Sequence, residues 1–424
     1  MSGITLDDGS AMSPEWMSAV MTKNKNKSVD IEHLDFIPAK QLCKDRCEVT
    51  RILLKTDDEA IPKSFLWKNI AVKDLPHVES NSLGNDKYTF NRETDIDSYE
   101  NEMLFYQNYS TILNNSGIRV PKCYLTINKY DPKDKDNSKF SLLLEDLVAS
   151  GFVKKHILLT KDEVIHSIEY LANLHGKYWG KTGTLDKLWN HGTFWSSEKR
   201  TENVINEMPQ TWREFCSRFK GENVYFCSND IIRLGERLHN QRFLIKQKLN
   251  QMTTRTFVHG NFKTSNILFR QGESGIEAAA VDWKWSGIGH PIQDIMFLLL
   301  GAFNAGLGLD ENPIEKRVIS TYCKHLNHLY KIQYDIEQAT SDFKFALLDF
   351  AFVILGHFFR GQTPDTIRND SSDPEVLSLA ISVDNVVHLT RYLDRLLVEI
   401  EPRDTLDRPV ETSISPMRFY NSYE

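Results

Sequence analysis

The 424-residue chain has no excess of basic charge: 51 lysines and arginines face 58 aspartates and glutamates, leaving a net charge of −7. A protein whose main partner is a nucleic-acid backbone needs a basic face, so that class of partner is excluded. Cysteine is scarce. The six cysteines, at 43, 47, 123, 216, 227 and 323, are scattered, and Cys43 with Cys47 has no second Cys or His pair at metal-ligand spacing, so zinc is not expected. Ordinary reduced thiols in an intracellular, cytoplasmic protein are the favoured reading. Long apolar runs are also missing. IMFLLLGAFNAGLGL (295–309) is too short and too glycine-punctuated to span a bilayer, and FKFALLDFAFVILGHFF (343–359) carries Lys344 and Asp349. Both read as buried helices of a large core. The start, MSGITLDDGSAMSPEW, has neither a basic stretch nor an apolar core, so no signal peptide is expected. An apolar fraction of 41% with 26% charged residues is that of a folded chain, and no internal repeat is visible.

What is present divides into two parts. VTRILLKT (49–56), FLWKNIAVKDL (65–75), VPKCYLTIN (120–128) and KFSLLLEDL (139–147) are rich in β-formers and read as strands. Between them, DIDSYENEMLFYQNYSTIL (95–113) places apolar residues at helical spacing. From about residue 160 helical patterns dominate, at 161–180, 201–251, 289–305, 313–331, 336–361 and 374–402, with short β pieces only around 255–283. The layout predicts an α+β protein. A β-rich lobe with one long helix occupies 1–147, a larger mainly helical lobe 148–402, and a polar tail 403–424.

VHGNFKTSNILFR (258–270) carries the first chemical signal. Phosphoryl transfer to a hydroxyl asks little covalent help of a protein. It needs a divalent cation held by carboxylate and amide oxygens, a lysine on the phosphates, and a group that orients the acceptor and takes its proton. In kinases the base and the metal-binding asparagine lie on one loop five positions apart, the spacing of Asn261 and Asn266. A strand (ILFR), a turn (QGESG) and a second strand (AAAVDW) follow, and a hairpin there returns Asp282 to the side of Asn266. A carboxylate and an amide meeting in this way make a reasonable Mg²⁺ site.

VHGNFKTSNILF followed by AAAVDWKWSGIGHPIQDI resembles the catalytic segment of the aminoglycoside phosphotransferase and choline kinase superfamily. Within it, the sequence is most similar to the ecdysteroid-kinase-like, CHK-type group. Ordered pieces of the resemblance run from about residue 40 to about residue 360. It implies a two-lobed, protein-kinase-like fold, ATP and Mg²⁺ as cofactors, and a small-molecule hydroxyl as acceptor, whether sterol-like, choline-like or aminoglycoside-like. Lys73, in IAVKDL, is implied as the phosphate-binding lysine, and Glu102, in YENEMLFY, as its partner. SLLLEDL resembles the strand entering the adenine-binding hinge, with Glu145 and Leu147 as nucleotide-binding positions. Asn266 and Asp282 are implied as metal ligands. Asp294 is implied as a prop for the loop, and His259 as a packing residue. Lys263 either reaches the transferred phosphate or faces solvent. Trp283, Trp285 and Phe297 read as core or cleft-wall aromatics.

Two departures from the pattern matter. The base position holds Asn261, whose carboxamide can orient a hydroxyl but cannot accept its proton near neutral pH. The nucleotide-covering loop is expected near PAKQLCKDRCEVTR (38–51), which has no glycine to let backbone N–H groups close on phosphate, leaving Lys44 or Arg46 as possible contacts. Two readings follow. One is a small-molecule kinase with an altered base; the other is a pseudokinase on the same fold that binds nucleotide or a protein partner. A protein kinase is disfavoured, because Asp-Phe-Gly is replaced by Asp282-Trp283-Lys284 and no Ala-Pro-Glu segment is evident.

Overall fold

A computed structural model describes residues 4–6, 10–39, 47–75, 92–154, 159–195, 202–273, 275–302, 314–369 and 382–402. The polar tail 403–424 and the loop positions Lys44 and Arg46 lie outside the described residues.

The first part is built on a five-stranded antiparallel sheet. Its strands are β1 (His33–Pro38), β2 (Glu48–Lys55), β3 (Ser64–Ala71), β4 (Cys123–Lys129) and β5 (Lys139–Glu145), ordered β1-β2-β3-β5-β4. Side chains alternate across a strand, so each strand serves two cores. Phe65 and Trp67 of β3 and Leu143 of β5 pack with Met17 and Met21 of the helix Pro14–Lys25 on one face. Ile70 of β3, with Phe140, Leu142 and Leu144 of β5, faces the helix Arg92–Asn108 through Ile96, Tyr99 and Met103. That helix also buries Asp95, Ser98, Asn101 and Glu102. A polar stripe facing inward is costly unless it has partners, so it marks where this helix does more than pack.

The second part is mainly helical, with helices at Lys161–Tyr178, Glu202–Phe219, Arg242–Gln251, Pro291–Ala302, Ile314–Tyr330, Ile336–Val353 and Val383–Ile400, among shorter ones. Thr160 and Glu163 form a capping box at the first of these (2.8 and 3.3 Å), and Asp335 caps Ile336–Val353 through the Gln338 N–H at 2.8 Å. The helical pattern over 201–251 is broken after Phe219, where Asn223 caps a short turn. Helix Ile336–Val353 ends in a π turn at Ile354–Phe358. The β pieces are small: β6 (Val153–Lys154), β8 (Ile267–Gly272) and β9 (Gly275–Ala280) form one sheet, and β7 (Thr256–Val258) pairs with β10 (Gly287–Gly289). Trp283 and Trp285 are buried, and Phe297 packs edge-on against Phe350 with centroids 5.0 Å apart. Among the described residues no helix is long and apolar enough to cross a membrane.

One expectation is corrected. Cys47 is disulfide-bonded, whereas Cys123, Cys216, Cys227 and Cys323 are free thiols. The expectation of reduced thiols throughout weighed compartment and spacing, which say nothing of which thiols meet in the fold.

Asp349 is the second buried carboxyl that matters here. The Trp195 indole and Lys246 favour its charged form, but burial outweighs both and pushes its pKa up to about 7. The native state then keeps a proton that the unfolded chain releases near its ordinary value of 3.8. Stability contributed at this site therefore falls as pH rises from about 4 to about 7 and stays low above that. Asp349→Asn keeps the size of the side chain and removes the charge. Its melting temperature should match the parent's near pH 4 and exceed it above pH 7, by at most ~4 kcal/mol in stability. Thermal unfolding of both proteins across that range checks this.

Candidate active site

The loop 259–261 is held from below by one carboxylate. Asp294, in the first turn of helix Pro291–Ala302 and fully buried, accepts the His259 N–H at 2.7 Å and the Gly260 N–H at 2.8 Å. His175, from helix Lys161–Tyr178, reaches the same carboxylate at 3.2 Å and the Tyr322 hydroxyl at 2.7 Å with its other nitrogen. Gly260 sits at φ +81°, and a Cβ there would stand 2.2 Å from the Trp285 carbonyl oxygen. No other residue fits that position.

His259 joins the loop to the strand that delivers Asp282. Its Nε2–H donates to the Val281 carbonyl at 3.0 Å, so Nδ1 is left to accept the Asn261 N–H at 3.3 Å. Burial lowers its pKa, which keeps the ring neutral and suits that tautomer. It is a joint, as its packing role implies.

Asn266 donates through Nδ2 to the Asn261 carbonyl at 2.9 Å, and its own carbonyl accepts the Val281 N–H at 3.0 Å. The β8–β9 hairpin thus brings Asp282 next to Asn266. Asp282 stands at φ 64°, ψ 63°, left-handed backbone that a non-glycine residue adopts only at a cost. Burial pushes its carboxyl up, yet Lys284 and Lys68, with Lys263, hold it at about 2.

The lysine that meets Glu102 is Lys68, at 2.7 Å; Lys73 is not part of this pair. The reason is strand geometry. Lys68 shares the β3 face with Ile70, the face covered by helix Arg92–Asn108, whereas Lys73 lies past the strand end, exposed, in the turn Val72–Asp74. The alternation was visible in FLWKNIAVKDL, since Phe65 and Trp67 claim the opposite face. Burial opposes the charge on Lys68, but Glu102 and Asp282 raise its pKa, so it remains an ammonium. Burial raises Glu102, with Lys68 pulling it back and Asp282 adding to the rise. Lys68, Glu102 and Asp282 therefore form one electrostatic group.

The side chains of the two expected hinge residues, Glu145 and Leu147, are both engaged within the protein. Glu145 binds Arg119 at 2.5 Å, the Lys122 N–H at 3.1 Å and Ser150 at 3.0 Å. Burial works against its charge, but these partners outweigh it and lower its pKa. Its carboxylate is thus engaged with the protein. Leu147 is buried with Phe152, Leu268 and Ala279, so it links the end of the first sheet to the β8–β9 hairpin.

Two further residues had no signal in the sequence. Asn101, beside Glu102, donates to the carbonyls of Lys284 (3.0 Å) and Ser286 (2.8 Å) and accepts the Trp189 N–H at 3.2 Å. One turn on, Phe105 stacks on Trp283 with centroids 4.3 Å apart and planes 3° from parallel. The second is Lys284, whose ammonium stands 3.8 Å from Asp282. The Glu102 helix is in this way bound to the turn that carries Asp282.

A family model described as ecdysteroid kinase-like matches residues 48–334. The chain belongs to the ecdysteroid kinase-like family. This is a family of small-molecule kinase-like phosphotransferases, and the match spans both the first sheet and the loop 258–270. Acyl-CoA dehydrogenase family member 11 of Rattus norvegicus is 37% identical over 78 residues, 16% of this chain and 10% of that protein. The ecdysteroid kinase-like chain therefore spans about a tenth of the length of that relative. Among solved structures, a microcompartment-associated aminopropanol kinase is 10% identical and covers 89% of this chain and 94% of its own, with a TM-score of 0.42. A choline/ethanolamine kinase family protein from Mesorhizobium loti is 11% identical, with coverage of 87% and 92% and a TM-score of 0.41. Likeness this loose carries no weight for the chemistry of the ecdysteroid kinase-like chain.

Removing the Asp294 carboxylate leaves two loop N–H groups and His175 without their acceptor. Asp294→Ala should cost about 3–5 kcal/mol of stability. Urea denaturation checks this, and a midpoint shift worth under about 1 kcal/mol would mean the loop is held by something else.

Proposed function

We propose that the chain is an ATP- and Mg²⁺-dependent phosphotransferase that acts on a hydroxyl of a small organic metabolite, with its base position altered. The observation that carries this reading is the buried group of Lys68, Glu102 and Asp282, with Asn266 beside it. An ammonium, two carboxylates and an amide from four separate segments come together here. Asp282 and Asn266 offer hard oxygen donors of the kind Mg²⁺ takes, so the residues fit the metal. Mg²⁺ with ATP, when bound, supplies the transferable phosphoryl group and the charge that offsets it.

The protein's own part is positioning. Lys68, oriented by Glu102, holds phosphate oxygens; Lys73, exposed beyond the strand, leaves that role to it. Asn261 hydrogen-bonds the acceptor hydroxyl and holds it in line. It accepts no proton, and losing a general base costs about 10²–10⁴ in rate. Lys263, whose charge is felt at Asp282, is near enough to the loop to steady the transferred group. The acceptor lies between this loop and the helices of the second part. The Phe194 N–H donates to the Gly260 carbonyl at 2.7 Å, and its neighbour Trp195 lies beside Asp349 of helix Ile336–Val353, so that helix approaches the loop through these two residues.

A second reading is a pseudokinase that binds nucleotide or a protein partner without turnover, and Asn261 is the observation that favours it. One set of measurements separates the two. Calorimetry should detect Mg²⁺·ATP binding to the parent and to Asn261→Asp, and Asp282→Ala should abolish it. Asn261→Asp should raise ATP-dependent phosphorylation of a hydroxyl acceptor by about 10²-fold or more. Binding without turnover by either form, across sterol, choline and aminoglycoside acceptors, would favour the pseudokinase. Absence of binding would sink both nucleotide readings.

A further inference from the structure

The groups proposed to hold a nucleotide are carried by segments far apart in the chain. Glu102 lies on the helix Arg92–Asn108, Asp282 opens the turn Trp283–Trp285, and Asn261 and Asn266 lie on the loop before β8. One neutral side chain joins all three. Asn101, beside Glu102, is only 1% exposed. Its Nδ2 donates to the carbonyls of Lys284 at 3.0 Å and Ser286 at 2.8 Å, and its Oδ1 accepts the Trp189 N–H at 3.2 Å. Two donor protons and an acceptor oxygen on one short side chain are what asparagine offers. Aspartate would set an anion against two carbonyl oxygens, and alanine would take this partner from three backbone groups. The carbonyl between those two, that of Trp285, packs against Gly260, where a Cβ would stand 2.2 Å from its oxygen. The turn is gripped between helix and loop.

The Trp189 arm carries the link further. The Trp189 carbonyl accepts the Ile288 N–H at 2.8 Å, and the Gly192 N–H donates to the Ile288 carbonyl at 2.7 Å. Gly192 lies so close to β10 that a Cβ there would meet the Gly287 nitrogen at 2.5 Å. The Phe194 N–H then donates to the Gly260 carbonyl at 2.7 Å, next to Asn261. Residues 189–194 thus run along β10, from Asn101 at one end to the loop at the other. Lys68 is fixed to Glu102 at 2.7 Å, so its spacing from Asp282 passes through this helix. The stack of Phe105 on Trp283 adds area to the same contact, but flat faces slide where hydrogen bonds do not.

We propose that Asn101 is a positioning residue of the nucleotide site. Its carboxamide holds the Glu102 helix, the Asp282 turn and, through Trp189, the Asn261 loop in one register. Lys68 on one side and Asp282 with Asn266 on the other are thereby set to act on the same triphosphate before it arrives. The inference rests on the reading of this cluster as a nucleotide site.

Mg²⁺ tightens ATP binding through this register, because the ion's ligands and the lysine must meet the same phosphates. The test is calorimetric titration of ATP into the full chain, in Mg²⁺ and in EDTA, beside each protein's melting temperature. For the parent, Mg²⁺ should tighten binding by about tenfold or more. In Asn101→Ala that gain should fall to about twofold or less, with binding in EDTA within about threefold of the parent's. Asn101→Ser, the milder variant, should lie between the two. Met103→Ala is the control, since it opens a cavity in the same helix about 200° round from Asn101. It should lower the melting temperature and leave the Mg²⁺ gain as in the parent. A gain kept by folded Asn101→Ala, or lost equally in Met103→Ala, would overturn the proposal and leave the nucleotide site standing. So would binding by the parent that Mg²⁺ does not tighten. If neither Asn101 variant folds, Asn101 is a structural residue and the proposal falls as well. No binding by the parent in either buffer would remove the nucleotide site itself, and this inference with it.

Discussion

The carboxylate of Asp294 is the constraint on which the rest of the site depends. It has no solvent contact, and its ligands come from the loop at 259–260 and from His175 on another helix. A buried carboxylate is tolerable only when its oxygens are satisfied, and here the satisfying groups are the N–H groups whose direction sets the loop. Folding of the second part and shaping of the loop are thus one event. Everything downstream inherits that geometry: the Asn261 carbonyl that orients Asn266, the His259 ring that ties down Val281, and the left-handed residue Asp282 that follows.

Most of the architecture was legible in the sequence because it rests on periodicity. The four strand segments at 49–56, 65–75, 120–128 and 139–147 and the helix at 95–113 correspond to β2, β3, β4, β5 and the helix Arg92–Asn108. Periodicity was less informative where a helix is interrupted by a local cap, as at Asn223, or loosened into a π turn, as at Ile354–Phe358. The α+β class and the family follow from the same ordered pieces.

The site was legible in outline but not at every residue. Asn261, Asn266 and Asp282 sit on one loop and one hairpin, so sequence spacing alone places them together. The lysine was misassigned because IAVKDL ends a strand, and a motif does not say where the strand stops. Face alternation does, and it selects Lys68. The resemblance marks Glu145 as a hinge position that meets adenine through its backbone, and it does not foresee that Arg119 engages its carboxylate. Asn101 and Lys284 escaped notice for the same reason. Their meaning lies in contacts between segments more than 180 residues apart, which no local pattern encodes.

The stack of Phe105 on Trp283, with the bonds of Asn101, assigns the helix Arg92–Asn108 mechanically to the helical body, even though the chain places it among the strands. The boundary between the two parts therefore does not run where the sequence passes from strands to helices. It runs beneath the sheet, between β3 and that helix, and the polar ties that cross it include Lys68 with Glu102, Gln107 with Thr126, and Tyr130 and Lys135 with Asp97. Any rocking of the sheet over the helical body would work against all of these ties together, and the Lys68–Glu102 pair is the one among them whose charge Asp282 feels.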